Sequence, residues 1–139
     1  MRQASQLLTI KTPGKGLYDI TAKVEQWVDR QDLSTGLLTL FLQHTSASLI
    51  IQENASPDVL TDLNAHFDRM VPEGKGLYRH TLEGPDDMPA HIRTVIGGIQ
   101  LTIPIVQGAL ALGDWQGIYV FEHRQDPHER AIAMHVMGE

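Results

Sequence analysis

Seven histidines in a chain of 139 residues are the compositional sign of chemistry, because imidazole both ligates metals and exchanges protons near neutral pH. Three of them, His44, His80 and His91, fall where strands or loops are expected to converge. Three imidazole ligands with one coordination position left open suit a catalytic zinc or a similar divalent ion. None of the three forms the His-x3-His pair that sets two ligands on one helix face, so spacing alone does not join them. The competing reading of His44 is a hydrogen-bonded structural imidazole at a strand end. His66 and His128 read as solvated, and His123 and His135 as core or interface residues.

His44 opens the densest polar stretch, His44-Thr45-Ser46-Ala47-Ser48, followed by the apolar Leu49 to Ile51 and then Glu53, Asn54 and Asp58. An imidazole, three hydroxyls and two carboxylates delivered from the ends of buried strands are how a rigid scaffold presents a site. Cysteine is absent, which excludes disulfides, thiolate metal sites and a cysteine nucleophile. The net charge of −6 and pI near 5.6 argue against a general nucleic-acid binder, which needs basic patches to displace counterions. No segment approaches the roughly 18 apolar residues of a membrane helix and no apolar signal core opens the chain, so a cytoplasmic protein is expected.

The elements that must hold these residues follow from periodicity. Ser5 to Lys11 reads as a first strand, with a turn after it. Ile20, Val24, Trp27 and Val28 share one face of a helix, with Thr21 as its N-cap. Leu37 to Leu42 is a continuous apolar run expected to be a strand buried on both faces. Ser56, Pro57 and Asp58 start a second helix carrying Val59, Leu63, Phe67 and Met70. Val71 to Pro85, rich in Gly, Pro and charge, is long enough for a functional loop, with disorder as the rival reading. Asp86, Asp87 and Pro89 open a third helix that ends at Gly97-Gly98. Met88, His91 and Val95 share its expected inward side, and the helix dipole there favours a neutral His91. Ile99 to Ile105, Ala109 to Leu112, Ile118 to Glu122 and Ala131 to Met137 complete the strands. The reading is one α+β domain over residues 1–139, with about three helices and mixed or largely antiparallel sheets.

Several of these stretches together resemble the YjbQ-like family, whose members are described as secondary thiamine-phosphate synthases. They are His44 to Ser48, Glu53 to Asp58, Tyr78-Arg79-His80, Asp87 with His91, Leu101 to Pro104, and Leu112-Gly113-Asp114-Trp115-Gln116-Gly117-Ile118-Tyr119. The resemblance covers essentially the whole chain. It implies a compact α+β fold assembled as a homotrimer, with a metal ion or an anion near His44, His80 and His91. Asp114 departs from the family, which usually has Thr at this place. An added charge there would hinder a phosphate, whereas it would serve equally well to cap a turn.

The expectation for function is therefore thiamine-phosphate-synthase-like transfer, joining a pyrimidine diphosphate to a thiazole phosphate at a histidine-rich site. A divalent metal, zinc first, would be held by His44, His80 and His91. Ser46, Ser48, Asn54, Arg79 and Gln116 would contact the phosphate-bearing substrate. His44 would take part in the chemistry, and Glu53 or Asp87 would accept a proton or fix a histidine tautomer. Two alternatives stand beside it: a metal-dependent hydrolase using the same three histidines, and a non-catalytic trimeric small-molecule-binding or scaffold protein.

Overall fold

The run that reads as doubly buried is buried on one face only. In the computed structural model, which describes residues 1–139, Leu38, Leu40 and Leu42 of a strand over Thr35–Leu42 are fully buried, while Leu37 and Phe41 on the opposite face are 37% and 43% exposed. Alternation of this kind marks a sheet with one side against the core and one side open. In chain order the elements are β1 (Arg2–Thr12), β2 (Gly16–Asp19), α1 (Thr21–Asp29), β3 (Thr35–Leu42), β4 (Ala47–Glu53), α2 (Pro57–Met70), α3 (Asp87–Gly97), β5 (Gln100–Val106), β6 (Ala109–Leu110), β7 (Gln116–Glu122) and β8 (His128–Gly138). The α+β class and the three helices match expectation, and every strand pairing is antiparallel.

Two sheets face each other. One has the order β1-β8-β3-β5-β6, the other β2-β7-β4. The apolar core lies between them, built from Leu38 and Leu40 of β3, Ile132 and Met134 of β8, Leu49 of β4 and Val120 of β7, with Val24, Trp27 and Val28 of α1 completing it. Removing such side chains from water is the main favourable term of folding. β7 is buried on both faces: Ile118 and Val120 point into the core, and Phe121 points the other way, against Phe67 of α2 with ring centroids 5.1 Å apart.

Three local expectations are corrected. β2 replaces an expected turn: four residues with only Leu17 and Tyr18 apolar carry too little pattern to be read, and pairing with β7 creates the strand. The N-cap of α1 is Ile20 and Thr21 is the first helical residue, with Asp19 Oδ1 accepting Thr21 N–H at 2.9 Å and Thr21 Oγ1–H at 2.6 Å. α3 turns Val95 outward, 85% exposed, and buries Pro89, Ala90, Arg93 and Thr94. The buried face thus carries a charged residue, Arg93, whose Nη2 donates to the Val71 carbonyl at 2.9 Å and lies 3.4 Å from Asp68 Oδ1.

Candidate functional site

The position of α3 decides the site. Its last turn lies directly on β4: a Cβ built on Gly97 would stand 2.6 Å from Ser48 Oγ, so only glycine permits this approach. Gly98, at φ +84°, then ends the helix in a backbone conformation that suits glycine. At the other end the same docking brings His91 against the loop between β3 and β4, where its Nδ1–H donates to the Thr45 carbonyl at 2.7 Å.

His80, from the long loop before α3, completes a cluster. Its Nε2 lies 2.7 Å from Asp87 Oδ2, and His91 Nε2 lies 3.1 Å from the same oxygen. Oxygen and nitrogen atoms of His80, Asp87 and His91 that could ligate a metal all fall within 4.8 Å of one another. The carboxylate is 1% exposed, the two imidazoles 44% and 28%, so the group opens to solvent on the imidazole side. Burial pushes Asp87 toward the neutral form, but the His80 hydrogen bond and the His91 and Arg124 charges outweigh it and hold the carboxyl below its ordinary range. A carboxylate of that kind is a weak base and a good ligand or orienting partner.

Arg124, two residues after the end of β7, holds the other side of the acid pair. Nη1 donates to Asp87 Oδ1 at 2.8 Å, Nε to Asp86 Oδ2 at 3.0 Å and Nη2 to the Glu83 carbonyl at 2.9 Å. This fork fixes the Asp87 carboxylate plane, leaving Oδ2 to the imidazoles. Next to the cluster the loop of residues 73–85 walls a concavity of about 630 Å³, with Lys75, Tyr78, His80 and Thr81 among its lining. His80 belongs to both, so a ligand seated there reaches the cluster.

The expected ligand trio is corrected. His44 is not among the clustered ligand atoms, and its Nε2 lone pair is committed to Ala131 N–H at 2.7 Å. Burial, then the nearby Arg130 charge, holds its pKa below the usual value, so it is a neutral structural imidazole. Two expected anion contacts are also engaged elsewhere. Ser46 Oγ accepts Arg130 Nη2 at 2.9 Å, and Ser48 Oγ pairs with His123 Nε2 at 2.8 Å in full burial. Glu53, Asn54 and Gln116 lie at the far end of β4, and six strand steps separate them from the cluster's end by about 20 Å. There Gln116 Oε1 accepts Gly113 N–H at 2.7 Å, closing the turn that carries Asp114 and Trp115. Asn54, Asp114 and Gln116 line a separate depression. Arg79 is exposed and, unlike its neighbours Tyr78 and His80, does not line the concavity; Lys75 does.

A sequence model described as UPF0047 protein YjbQ-like matches residues 6–139. The chain belongs to this family. A UPF0047 protein of Synechocystis sp. is 53% identical over 138 residues, 99% of this chain and 94% of its own length. The UPF0047 protein YjbQ of Escherichia coli O157:H7 is 41% identical over 95% of this chain and 96% of its own. Among solved structures, a YjbQ/UPF0047 family protein of Clostridium acetobutylicum superposes with a TM-score of 0.87 at 35% identity, covering 95% of this chain and 99% of that one. A Sulfolobus solfataricus protein, titled as of unknown function, shares the fold with a TM-score of 0.86 at 23% identity.

For this YjbQ-like chain, sequence reasoning singled out His80, Asp87 and His91, which the fold brings together, but not the contacts that secure them. Arg124 had a signal, since adjacent Asp86 and Asp87 at a helix start need a cation once buried. The Thr45 carbonyl had none, because a backbone acceptor carries no residue identity. No helix of the protein is long and apolar enough to cross a membrane.

Proposed function

We propose that the chain is a metal-dependent enzyme acting on a small phosphate-bearing molecule, with His80, Asp87 and His91 as ligands of a divalent ion, zinc being the first candidate. One observation carries this reading. The Thr45 carbonyl can only accept, so Nδ1 of His91 carries a proton and Nε2 is turned toward Asp87 Oδ2 at 3.1 Å, where it either donates a proton to the carboxylate or shares a cation with it. Two acceptors face to face repel unless a proton or a cation lies within reach of both. Two imidazoles and one carboxylate are a donor set that suits zinc and neighbouring divalent ions. Such an ion, when bound, supplies Lewis-acid stabilisation to phosphate oxygens.

The chain's own residues do the rest. Arg124 holds Asp87 in plane, Thr45 sets the His91 tautomer, and Lys75 offers the concavity a cation for an anionic substrate. The first reaction to assay is thiamine-phosphate-synthase-like transfer, in which a pyrimidine diphosphate joins a thiazole phosphate and pyrophosphate leaves. Hydrolysis of a phosphate compound is the second reading. It is favoured by the scarcity of free cations, since Arg93 and Arg124 are committed to protein carbonyls and carboxylates and Arg130 to Glu122.

We infer further that the active form is a homotrimer in the cytoplasm. Its support is the open face of the five-stranded sheet, where Leu7, Leu37, Phe41 and Met137 stand exposed on neighbouring strands beside Thr39 and Thr102. An apolar patch of this kind marks an interaction surface.

The test is an assay of zinc-supplied protein for pyrophosphate release from the paired substrates and, in parallel, for hydrolysis of phosphate esters. Turnover in one arm that disappears in Asp87→Asn is the expected result. Absence of turnover in both arms, with phosphate compounds failing to bind, leaves a scaffold and overturns the enzymatic reading.

A further inference from the structure

A second buried polar system lies behind the cluster, and the proposed chemistry does not use it. Glu122, at the end of β7, is 0% exposed, yet both its oxygens are saturated: Oε2 accepts Thr12 Oγ1–H and Arg130 Nε–H, each at 2.6 Å, while Oε1 accepts Arg124 N–H at 3.0 Å and Arg130 Nη2–H at 2.5 Å. The four hydrogen bonds, from Arg130, Thr12 and Arg124, overcome the cost of burial and keep the carboxyl below its ordinary range. Arg130 itself is 3% exposed. Buried ion pairs are poor stability devices, since apolar residues of similar volume commonly serve as well or better. What such a network supplies is fixed position.

Both arms of the network end on the His80–Asp87–His91 cluster. Along one, Glu122 holds the backbone of Arg124, whose guanidinium forks onto Asp86 and Asp87. Along the other, Arg130 Nη2 donates to the Ser46 carbonyl at 3.1 Å and to Ser46 Oγ at 2.9 Å, and the preceding residue, Thr45, presents the carbonyl that accepts His91 Nδ1–H. We propose that Glu122 is a positioning residue for the cluster, setting the Asp87 carboxylate through Arg124 and the His91 ring through Arg130 and the Thr45–Ser46 loop. This role rests on the ligand set proposed above. Residues behind a metal ligand that fix its orientation commonly change metal affinity about tenfold to a hundredfold when altered.

The test is a cobalt(II) titration followed by visible absorption, at a temperature well below the melting midpoint, of wild type, Glu122→Gln, Ser46→Ala and the core variant Ile103→Val. Glu122→Gln is expected to bind cobalt about tenfold to a hundredfold more weakly, and Ser46→Ala to weaken binding in the same direction by less. Ile103→Val, which only trims the core, is expected to bind as wild type does. Glu122→Gln that is folded by circular dichroism and titrates like wild type overturns the role. If Glu122→Gln does not fold, Ser46→Ala decides, and an unchanged affinity there overturns it. Wild type that binds no cobalt is a failure of the ligand set instead. Nitrogen-15 spectra of the imidazoles then decide: His91 protonated on Nδ1 in wild type and mixed between tautomers in Ser46→Ala or Glu122→Gln supports the positioning role, and identical spectra overturn it.

Discussion

His91 sits one helical turn after Asp87 on α3, and its Nε2 approaches Asp87 Oδ2 to 3.1 Å, while the opposite ring nitrogen is tied to a carbonyl on another element. The i, i+4 spacing gives the pair a rigid base, and the tie from Thr45 removes the ring rotation that the helix alone would allow. Asp87→Asn replaces the shared oxygen by an amide without changing shape. Metal affinity is expected to fall more than about a hundredfold, beyond the usual effect of altering a residue behind a ligand, with little change in the circular dichroism spectrum. Isothermal titration with zinc measures it.

Arg124→Gln tests the fork. It removes a charge whose hydrogen bonds reach Asp86, Asp87 and Glu83. Two buried carboxylates then lose their cation, so stability should fall by about 3 kcal/mol or more, read as a lower urea midpoint. A midpoint within error of wild type would contradict this account of the acid pair.

Acid should destabilise the fold through His123. Burial, then the Arg93 charge, lowers its pKa from 6.5 to about 3, so the folded state holds it neutral. A depressed folded pKa gives stability that is complete above 6.5 and is lost as pH falls toward about 3, about tenfold in the folding constant per pH unit. Glu122 works in the same direction: its folded pKa lies below the usual 4.5, so its contribution is lost as pH drops beneath that value. His123→Leu should flatten the limb between pH 6.5 and 4.5, as followed by chemical denaturation at each pH.

How much was legible depends on what kind of contact was being read. Val24, Trp27 and Val28 announced α1, and Pro89 with Gly97-Gly98 announced α3, because local spacing and caps are written in neighbouring residues. Between the two readings of His44 the sequence could not choose, because its partner is the Ala131 backbone, 87 residues away, and a backbone partner leaves no mark in composition. Ser48 looked like a free hydroxyl for the same reason that Gly97 looked only like a helix stop: the two meet in space, with α3 against β4. Glu122 and Arg130 did have a signal that was not used. They continue the inward alternation of Ile118 and Val120, and of Ile132, Met134 and Val136, which placed two charges of opposite sign inside the core.

The open sheet face makes a prediction about assembly. Phe41→Glu places a charge on the face that also presents Leu7, Leu37 and Met137. Sedimentation should show the trimeric mass of wild type replaced by the monomeric mass, with the melting midpoint lowered. A wild-type monomer, or a trimer that survives the substitution, contradicts the assignment of this face.

The central claim is that His80, Asp87 and His91, without His44, hold a divalent ion. Elemental analysis by mass spectrometry of untagged protein, purified without added metal, measures it directly for wild type, His44→Ala and His91→Ala. About one ion per chain is predicted in wild type and in His44→Ala. His44→Ala should be less stable by about 1–3 kcal/mol, because Ala131 N–H loses its acceptor. His91→Ala should carry none. A metal-free wild type that still binds a phosphate compound, or folded variants in which His44→Ala loses the ion and His91→Ala keeps it, would contradict the account.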